Sequence, residues 1–406
     1  MTLISIASIA ALLSGFGLAQ AVAGWVAVRR FAQRAPLGIS GRPAVTVLKP
    51  LHGDEPLLEA ALATICAQDY PDLQIVFGVQ NPADSAVSVV ERLRERFPDC
   101  DITLIVDPTQ HGPNRKIGNL INMLPSAKHD ILVIADSDLQ VQADYLSDLV
   151  ATLAEPGTGL VTTLYTGLPA SPRLPARLGA TQITHGFLPG ALLARIMGRQ
   201  DCLGATMCLR RDTLDRIGGL RALVDHLADD NVLGVRVRAL GLDVRLARTV
   251  PATTVPEETY QALFRHELRW ARTVRALVPV AFALSVLQYP IFWALVAVLA
   301  SCGAIWAVAL FALAWMVRAV AATGIDRALS GKRETLAFPA PVWLLPPREL
   351  LSVGVMLASY AGKQVDWRGH ALHATGLTTI DLTTIDLTTI EKNPAPSPPA
   401  EGLHPR

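Results

Sequence analysis

The stretch Ile131-Leu132-Val133-Ile134-Ala135-Asp136-Ser137-Asp138 decides the fold. Its apolar run, rich in β-branched side chains, reads as a strand covered on both faces, and two carboxylates stand at its carboxyl end. Similar runs rich in Val, Ile and Leu at 44–49, 74–79, 102–106 and 159–164 are further strand candidates. Between them, 55–67, 82–96 and 142–154 carry apolar residues at helical spacing. In the second of these, Val87, Val90, Leu93 and Phe97 share one face, and Glu91, Arg92, Glu95 and Arg96 share the other. Strands alternating with amphipathic helices predict an α/β domain with a mostly parallel sheet. Such sheets bind ligands beyond the carboxyl ends of their strands, where the two aspartates fall.

Asp136 and Asp138 can converge on one hard divalent cation whose remaining ligands are phosphate oxygens and water. The competing reading is an Asp-rich turn, since Asp tolerates turns and caps helices. A second acidic group, His226-Leu227-Ala228-Asp229-Asp230, opens a predicted helix through Val232, Leu233 and Val235. Acidic residues there are ordinary at a helix start, or one of them is a general base facing the cleft. A third group is Arg265-His266-Glu267-Leu268-Arg269-Trp270, continuing to Arg272 and Arg275. The four arginines recur at helical spacing, which suits either lipid headgroups or a pyrophosphate. Lys116 in Asn114-Arg115-Lys116, His185, and Cys202-Leu203-Gly204-Ala205-Thr206 are lesser candidates, for which a structural role competes.

The composition fits a domain of this kind joined to membrane segments. Of 406 residues, 51% are hydrophobic and 17% charged, too apolar for a purely soluble enzyme and too charged for a helix bundle alone. A net charge of +1 gives no reason to expect nucleic acid. Five cysteines without a CxxC fit free thiols in a reducing compartment. Residues 2–28 carry no charge, are long enough to cross ~30 Å of hydrocarbon, and are followed by Arg29, Arg30 and Arg34. This predicts an uncleaved anchor over 1–30 whose carboxyl end is cytoplasmic.

The uncharged block Leu277–Val317 fits two spans turning near Ser301-Cys302-Gly303, or an interfacial segment up to Tyr289 and then one span. Arg272 and Arg275 before it, and Arg318, Arg327, Lys332 and Arg333 after it, suit a hairpin over 277–322 with cytoplasmic ends. Charges at Arg348 and Glu349 favour a membrane-associated or re-entrant segment within 335–370. The tail 371–406, with its LTTID repeats and prolines, reads as disordered.

Taken in order, Val47-Leu48-Lys49-Pro50-Leu51, Phe77-Gly78-Val79-Gln80-Asn81, Asn114-Arg115-Lys116, Ala135-Asp136-Ser137-Asp138, Ala228-Asp229-Asp230, His266-Glu267-Leu268-Arg269-Trp270 and Trp367-Arg368-Gly369 resemble the family 2 and family 21 inverting glycosyltransferases. The likeness is to the ceramide glucosyltransferases and, within the group, to the hopanoid-biosynthesis glycosyltransferases. The resemblance implies a GT-A fold, a Rossmann-like nucleotide-diphospho-sugar transferase domain over 43–250, followed by an interfacial helix at 251–276. It implies that Asp136 and Asp138 hold Mg²⁺ or Mn²⁺ and that Asp230 is the catalytic base. Pro50, Asn81, Lys116 and Asp136 would contact the nucleotide sugar, and His266, Arg269 and Trp270 the diphosphate and acceptor. Arg272 and Arg275 are then left to meet lipid.

Two positions depart from the family pattern. Asn81 stands where an aspartate usually follows Val-Gln, with Asp84 three residues on; an amide can still hydrogen-bond a uracil edge. His266 replaces the Gln or Arg that opens the (Q/R)xxRW motif, a form that looks like the hopanoid branch. The expected activity is transfer of N-acetylglucosamine from UDP-N-acetylglucosamine to a hydroxyl of a membrane lipid such as bacteriohopanetetrol. The alternative is a ceramide glucosyltransferase using UDP-glucose; a polysaccharide synthase or an inactive membrane scaffold fits less well. The expected location is the bacterial cytoplasmic membrane, multi-pass, with the catalytic domain facing the cytoplasm.

Overall fold

The computed structural model describes residues 3–38, 41–53, 55–330 and 341–362, and the backbone of 364–367 and 370–373. Residues 331–340, 368–369 and 374–406 lie outside the described residues, and with them Lys332, Arg333, Arg368, Gly369 and the repeat tail. The strands are β1 (Val45–Pro50), β2 (Leu73–Val79), β3 (Asp101–Val106), β4 (Ile131–Ala135), β5 (Leu139–Gln140), β6 (Thr158–Thr162), β7 (Thr166–Pro169), β8 (Thr206–Arg210), β9 (Asp243–Leu246) and β10 (Ala252–Val255). A seven-stranded sheet runs β3-β2-β1-β4-β8-β6-β9, and a smaller sheet runs β5-β10-β7. Strands β1 to β4 are parallel, as expected; β8 is antiparallel to both β4 and β6.

The helices are α1 (Leu3–Ala32), α2 (Leu58–Cys66), α3 (Ala86–Arg96), α4 (Arg115–Met123), α5 (Tyr145–Leu153), α6 (Leu174–Gln182), α7 (Leu188–Ile196), α8 (Arg211–Arg216), α9 (Asp229–Ala239), α10 (Tyr260–Leu277), α11 (Pro279–Leu284), α12 (Pro290–Ala300), α13 (Ile305–Ser330) and α14 (Leu345–Ser359). Alternation along each central strand fills two cores. Val45, Val47, Ile75, Phe77, Ile131 and Val133 meet α2, α3 and α5 on one face. Leu48, Val76, Leu132 and Ile134 meet α4 and α9 on the other. Each fully buried aliphatic or aromatic side chain contributes roughly 1.5–3 kcal/mol, which is why these short strands need apolar residues on both faces. This three-layer α/β arrangement is the GT-A-like fold.

Helices α1 and α13 are long and apolar enough to cross a membrane. They run parallel: Ala10 meets Ala307 at one end, while Ala27, Val28 and Phe31 meet Ile325 and Leu329 at the other. At that second end α1 also packs on Leu164, Leu188, Leu192 and Val250 of the α/β domain. A Cβ at Gly324 would stand 2.2 Å from the Trp25 ring, so glycine lets α13 close on α1. The block Leu277–Val317 turns at Ser301–Gly303, where Cys302 takes φ 52°. Its first arm is broken: residues 279–288 and 290–300 meet at 68°, at Tyr289-Pro290. Pro290 supplies no N–H, and Glu349 accepts instead from the next two, Ile291 (2.8 Å) and Phe292 (3.1 Å).

Arg318 departs from the expected cytoplasmic flank. It lies within α13, buried, with Nε donating 3.0 Å to Glu349. Arg275, expected at lipid headgroups, instead donates to the Gly362 carbonyl (2.8 Å) and lies over the Tyr360 ring. A guanidinium beside an unsatisfied carbonyl gains more there than at an exposed surface.

Candidate active site

Strand β4 ends at Ala135, and its antiparallel neighbour β8 fixes the backbone just beyond it: the Asp136 N–H donates to the Ala205 carbonyl at 3.1 Å. Lys49, at the end of β1 and fully buried, donates to the Asp136 carbonyl at 2.7 Å. Burial pulls the Lys49 ammonium down to about 8 against the attraction of Asp138 and Asp136. Asp138 is held from the small sheet, where the Thr253 hydroxyl donates to its carboxylate and the Thr254 N–H to its carbonyl (3.2 Å). Ser137 points the other way and donates to Glu55 at 2.7 Å. The two aspartates are thus fixed by four strands rather than by a free turn.

Asn114 caps α4 by accepting from the Ile117 N–H (3.0 Å) and donates to the His226 carbonyl (2.8 Å) and the Asp229 carboxylate (3.1 Å). That cap draws the start of α9 to the start of α4. Lys116, two residues on, makes a 2.6 Å ion pair with Asp136 and donates to the Gly204 carbonyl at 3.4 Å. Burial opposes the charge on Lys116, but Asp136, Asp229 and Asp230 together hold the ammonium well above its usual range. One cation therefore links the carboxylates of the strand end to those of α9.

Asp230 lies against the backbone of the loop before β8: a Cβ at Gly204 would be 2.8 Å from its carboxylate. Its Oδ1 accepts from the Asn231 N–H at 2.7 Å. Burial first, then the neighbouring Asp229, push the Asp230 carboxyl up to about 6. Burial and Asp136 likewise push Asp138 up to about 6. Asp136 and Asp138 are two hard carboxylates with oxygens left over from their protein partners. Among the described residues no group of three or more His, Cys, Asp or Glu closes around an ion. Such a donor set fits a divalent cation that takes its other ligands from a diphosphate and water.

The helix α10 follows β10, the strand that holds Asp138, through Glu257. His266 Nδ1 bonds Glu257, and its ring meets the Trp270 ring edge-on at 4.5 Å. Burial works to raise the Glu257 carboxyl, but the His266 bond and the Arg269 charge hold it below the usual range. Next to His266 along α10, Glu267 pairs with Arg348 through two 2.7 Å bonds. Pro50 closes β1 half-buried, and Asn81 is exposed after β2 with its amide oxygen accepting from Ala83 (3.0 Å). Asp84 does not take over Asn81's place; it accepts from Gly53 (2.9 Å) and Ala86 (2.9 Å) and ties the loop after β1 to α3.

The structure brings Asp136, Asp138, Lys116 and Asp230 into one cluster, with Asp229 beside them. His185 is elsewhere, bonded to Asp326 at 2.8 Å, and Cys202 is a buried thiol whose pKa burial raises far up. Tyr165 also faces the cluster; burial, then Asp230, Asp136 and Asp138, keep its phenol neutral. No spacing rule marks it, because it reaches the cluster from the link between β6 and β7.

A ceramide glucosyltransferase from Komagataella phaffii is 31% identical over 131 residues, 31% of this chain and 26% of that protein. An N-acetylglucosaminyltransferase from Rhizobium meliloti is 25% identical over 248 residues, 57% of this chain and 55% of that protein. A mannosyltransferase from Pyrobaculum calidifontis, solved with GDP-Man and Mn²⁺, superposes with a TM-score of 0.48 at 21% identity, covering 87% of this chain and 99% of that one. The chain thus spans from about a quarter to about half the length of these two curated relatives. Residues 6–380, most of the sequence, match Glycosyl transferase family 21. With an α/β domain, clustered acidic residues and, among the described residues, two helices long and apolar enough to cross a membrane, this chain belongs to Glycosyl transferase family 21.

Proposed function

We propose that the enzyme moves N-acetylglucosamine from UDP-N-acetylglucosamine to a hydroxyl of bacteriohopanetetrol, with inversion, at the cytoplasmic face of a bacterial inner membrane. The observation that carries this reading is the Lys116-centred cluster joining Asp136 to Asp230. Asp230 takes the proton of the lipid hydroxyl as that oxygen attacks the anomeric carbon, and UDP leaves with the bonding electron pair. A carboxyl near 6 is ionised at neutral pH yet more basic than an ordinary aspartate, which suits a general base. Asp136 and Asp138 would hold Mg²⁺ or Mn²⁺, which supplies positive charge to the leaving diphosphate. Arg269 adds a guanidinium on the diphosphate side, with His266 and Trp270 beside it, while Pro50, Asn81 and Lys116 contact the nucleotide sugar.

The hopanoid acceptor is supported by the forms Asp225-His226-Leu227-Ala228-Asp229-Asp230 and His266-Glu267-Leu268-Arg269-Trp270, and the sugar by the name of the Rhizobium relative. The Komagataella relative favours a second reading, transfer of glucose from UDP-glucose to ceramide. Purified enzyme is offered either UDP-sugar with either bacteriohopanetetrol or ceramide, and products are weighed by mass spectrometry. N-acetylglucosaminyl-bacteriohopanetetrol is the expected product. Glucosylceramide with bacteriohopanetetrol left unmodified would promote the second reading.

A further inference from the structure

A cavity with several polar side chains in its wall lies where the long apolar helices meet α6 and α7, and none of the clustered carboxylates lines it. Its wall includes Gln20 of α1, His185, Gln288, Arg318 of α13, and Arg348 and Glu349 of α14. By helix rise, Gln20 and Arg318 stand about 20–26 Å from the amino ends of their helices, well inside the apolar part. Every charge here has a partner: Arg318 with Glu349, Arg348 with Glu267, and His185 with Asp326.

Neutral polar groups are less well served. His185 is 3% exposed, yet its Nδ1 has no partner among the described residues. Gln20 and Gln288 face the cavity without a hydrogen-bond partner among the described residues. His185 stands in a π-helical turn, Ile183–Phe187, an irregularity found mostly at functional sites. The buried ring nitrogen is costly among apolar helices unless a hydroxylated guest completes it, and the two half-buried amides face the same space.

We propose that this cavity is a subsite for the uncharged, polyhydroxylated head of a membrane lipid, binding hydroxyls other than the one that reacts. The proposal rests on the lipid-acceptor reading above. The paired charges leave no net attraction for a phosphate, so an anionic headgroup is disfavoured. Phe187 closes the π-helical turn, and its ring packs 5.0 Å from Tyr165, beside the catalytic carboxylates. The turn that carries His185 is therefore linked to the carboxylate cluster through one ring contact.

The test uses the full chain in nanodiscs, with Gln20→Leu, Gln288→Leu and the double variant, each checked for wild-type melting temperature. Bacteriohopanetetrol and ceramide are the probes, and retention of each is read by native mass spectrometry without any UDP-sugar. Loss of one hydrogen bond to a buried polar group is about tenfold in affinity, so each single variant should bind the preferred probe about tenfold more weakly. The KM for that lipid should rise correspondingly, with UDP affinity unchanged. Unaltered retention and KM in the double variant, or no retention of either probe by the wild type, would overturn the subsite. Retention by the wild type that is lost in the variants, without sugar transfer to either lipid, leaves the subsite standing and sinks the acceptor reading.

Discussion

Asp230 and Lys116 set the pH behaviour of the cluster. As the proposed base, Asp230 must be ionised to accept a proton, and burial with Asp229 raises its carboxyl to about 6. Below about pH 6, kcat/KM should fall about tenfold per pH unit as the base becomes protonated. Asp230→Asn should keep UDP binding and lose roughly 10²–10⁴-fold in turnover; near-normal turnover would remove Asp230 from the mechanism. Lys116 lowers the pKa of that base, so Lys116→Met should move the acid limb of the profile to higher pH. An unmoved limb would mean that the ammonium does not act on Asp230. Asp138→Ala should reduce UDP affinity in Mn²⁺ to the level the wild type shows in chelator, measured by calorimetry. Equal wild-type affinity with and without metal would contradict the assignment of the pair.

At the scale of elements, the parallel half of the sheet, α2, α3 and α5 are legible in the sequence because each carries an uninterrupted apolar period. Strand β8 is not: Thr206-Met207-Cys208-Leu209-Arg210 is short, and only its pairing with β4 and β6 explains its place. The aspartates after β4 are visible as a motif, whereas the Asn114 cap that brings α9 to them is a contact between residues 115 positions apart. In the sequence, Arg318, Arg348 and Glu349 read as flanks or obstacles to a span; the structure uses them as buried partners. Arg348 joins α14 to α10 through Glu267. Arg348→Met strands a buried carboxylate and should cost roughly 3–5 kcal/mol, read from unfolding in detergent. Adding Glu267→Met should recover most of that loss. If the double variant is no more stable than the single one, the pair is not what stabilises this contact.

For the whole molecule, α1 and α13 run the same way, which places Cys302 and the catalytic domain at opposite ends of the bundle. Cys302 is exposed at the turn, and Ala83 is exposed on the catalytic domain. In intact spheroplasts an impermeant thiol reagent should label Cys302. It should reach Cys in Ala83→Cys, made on a Cys302→Ser background, only once the cells are opened. Labelling at position 83 in intact spheroplasts would invert the orientation and deny the enzyme its cytoplasmic sugar donor.

Helix α1 is packed onto Leu164, Leu188, Leu192 and Val250 rather than trailing on a leash. With the membrane-lipid acceptor proposed above, the cleft would be held at one height above the bilayer, and the acceptor would arrive by sliding sideways through the leaflet. What the enzyme senses is a two-dimensional concentration. Spreading a fixed amount of acceptor among inert lipid should slow turnover, whereas adding buffer around the same vesicles should leave it unchanged.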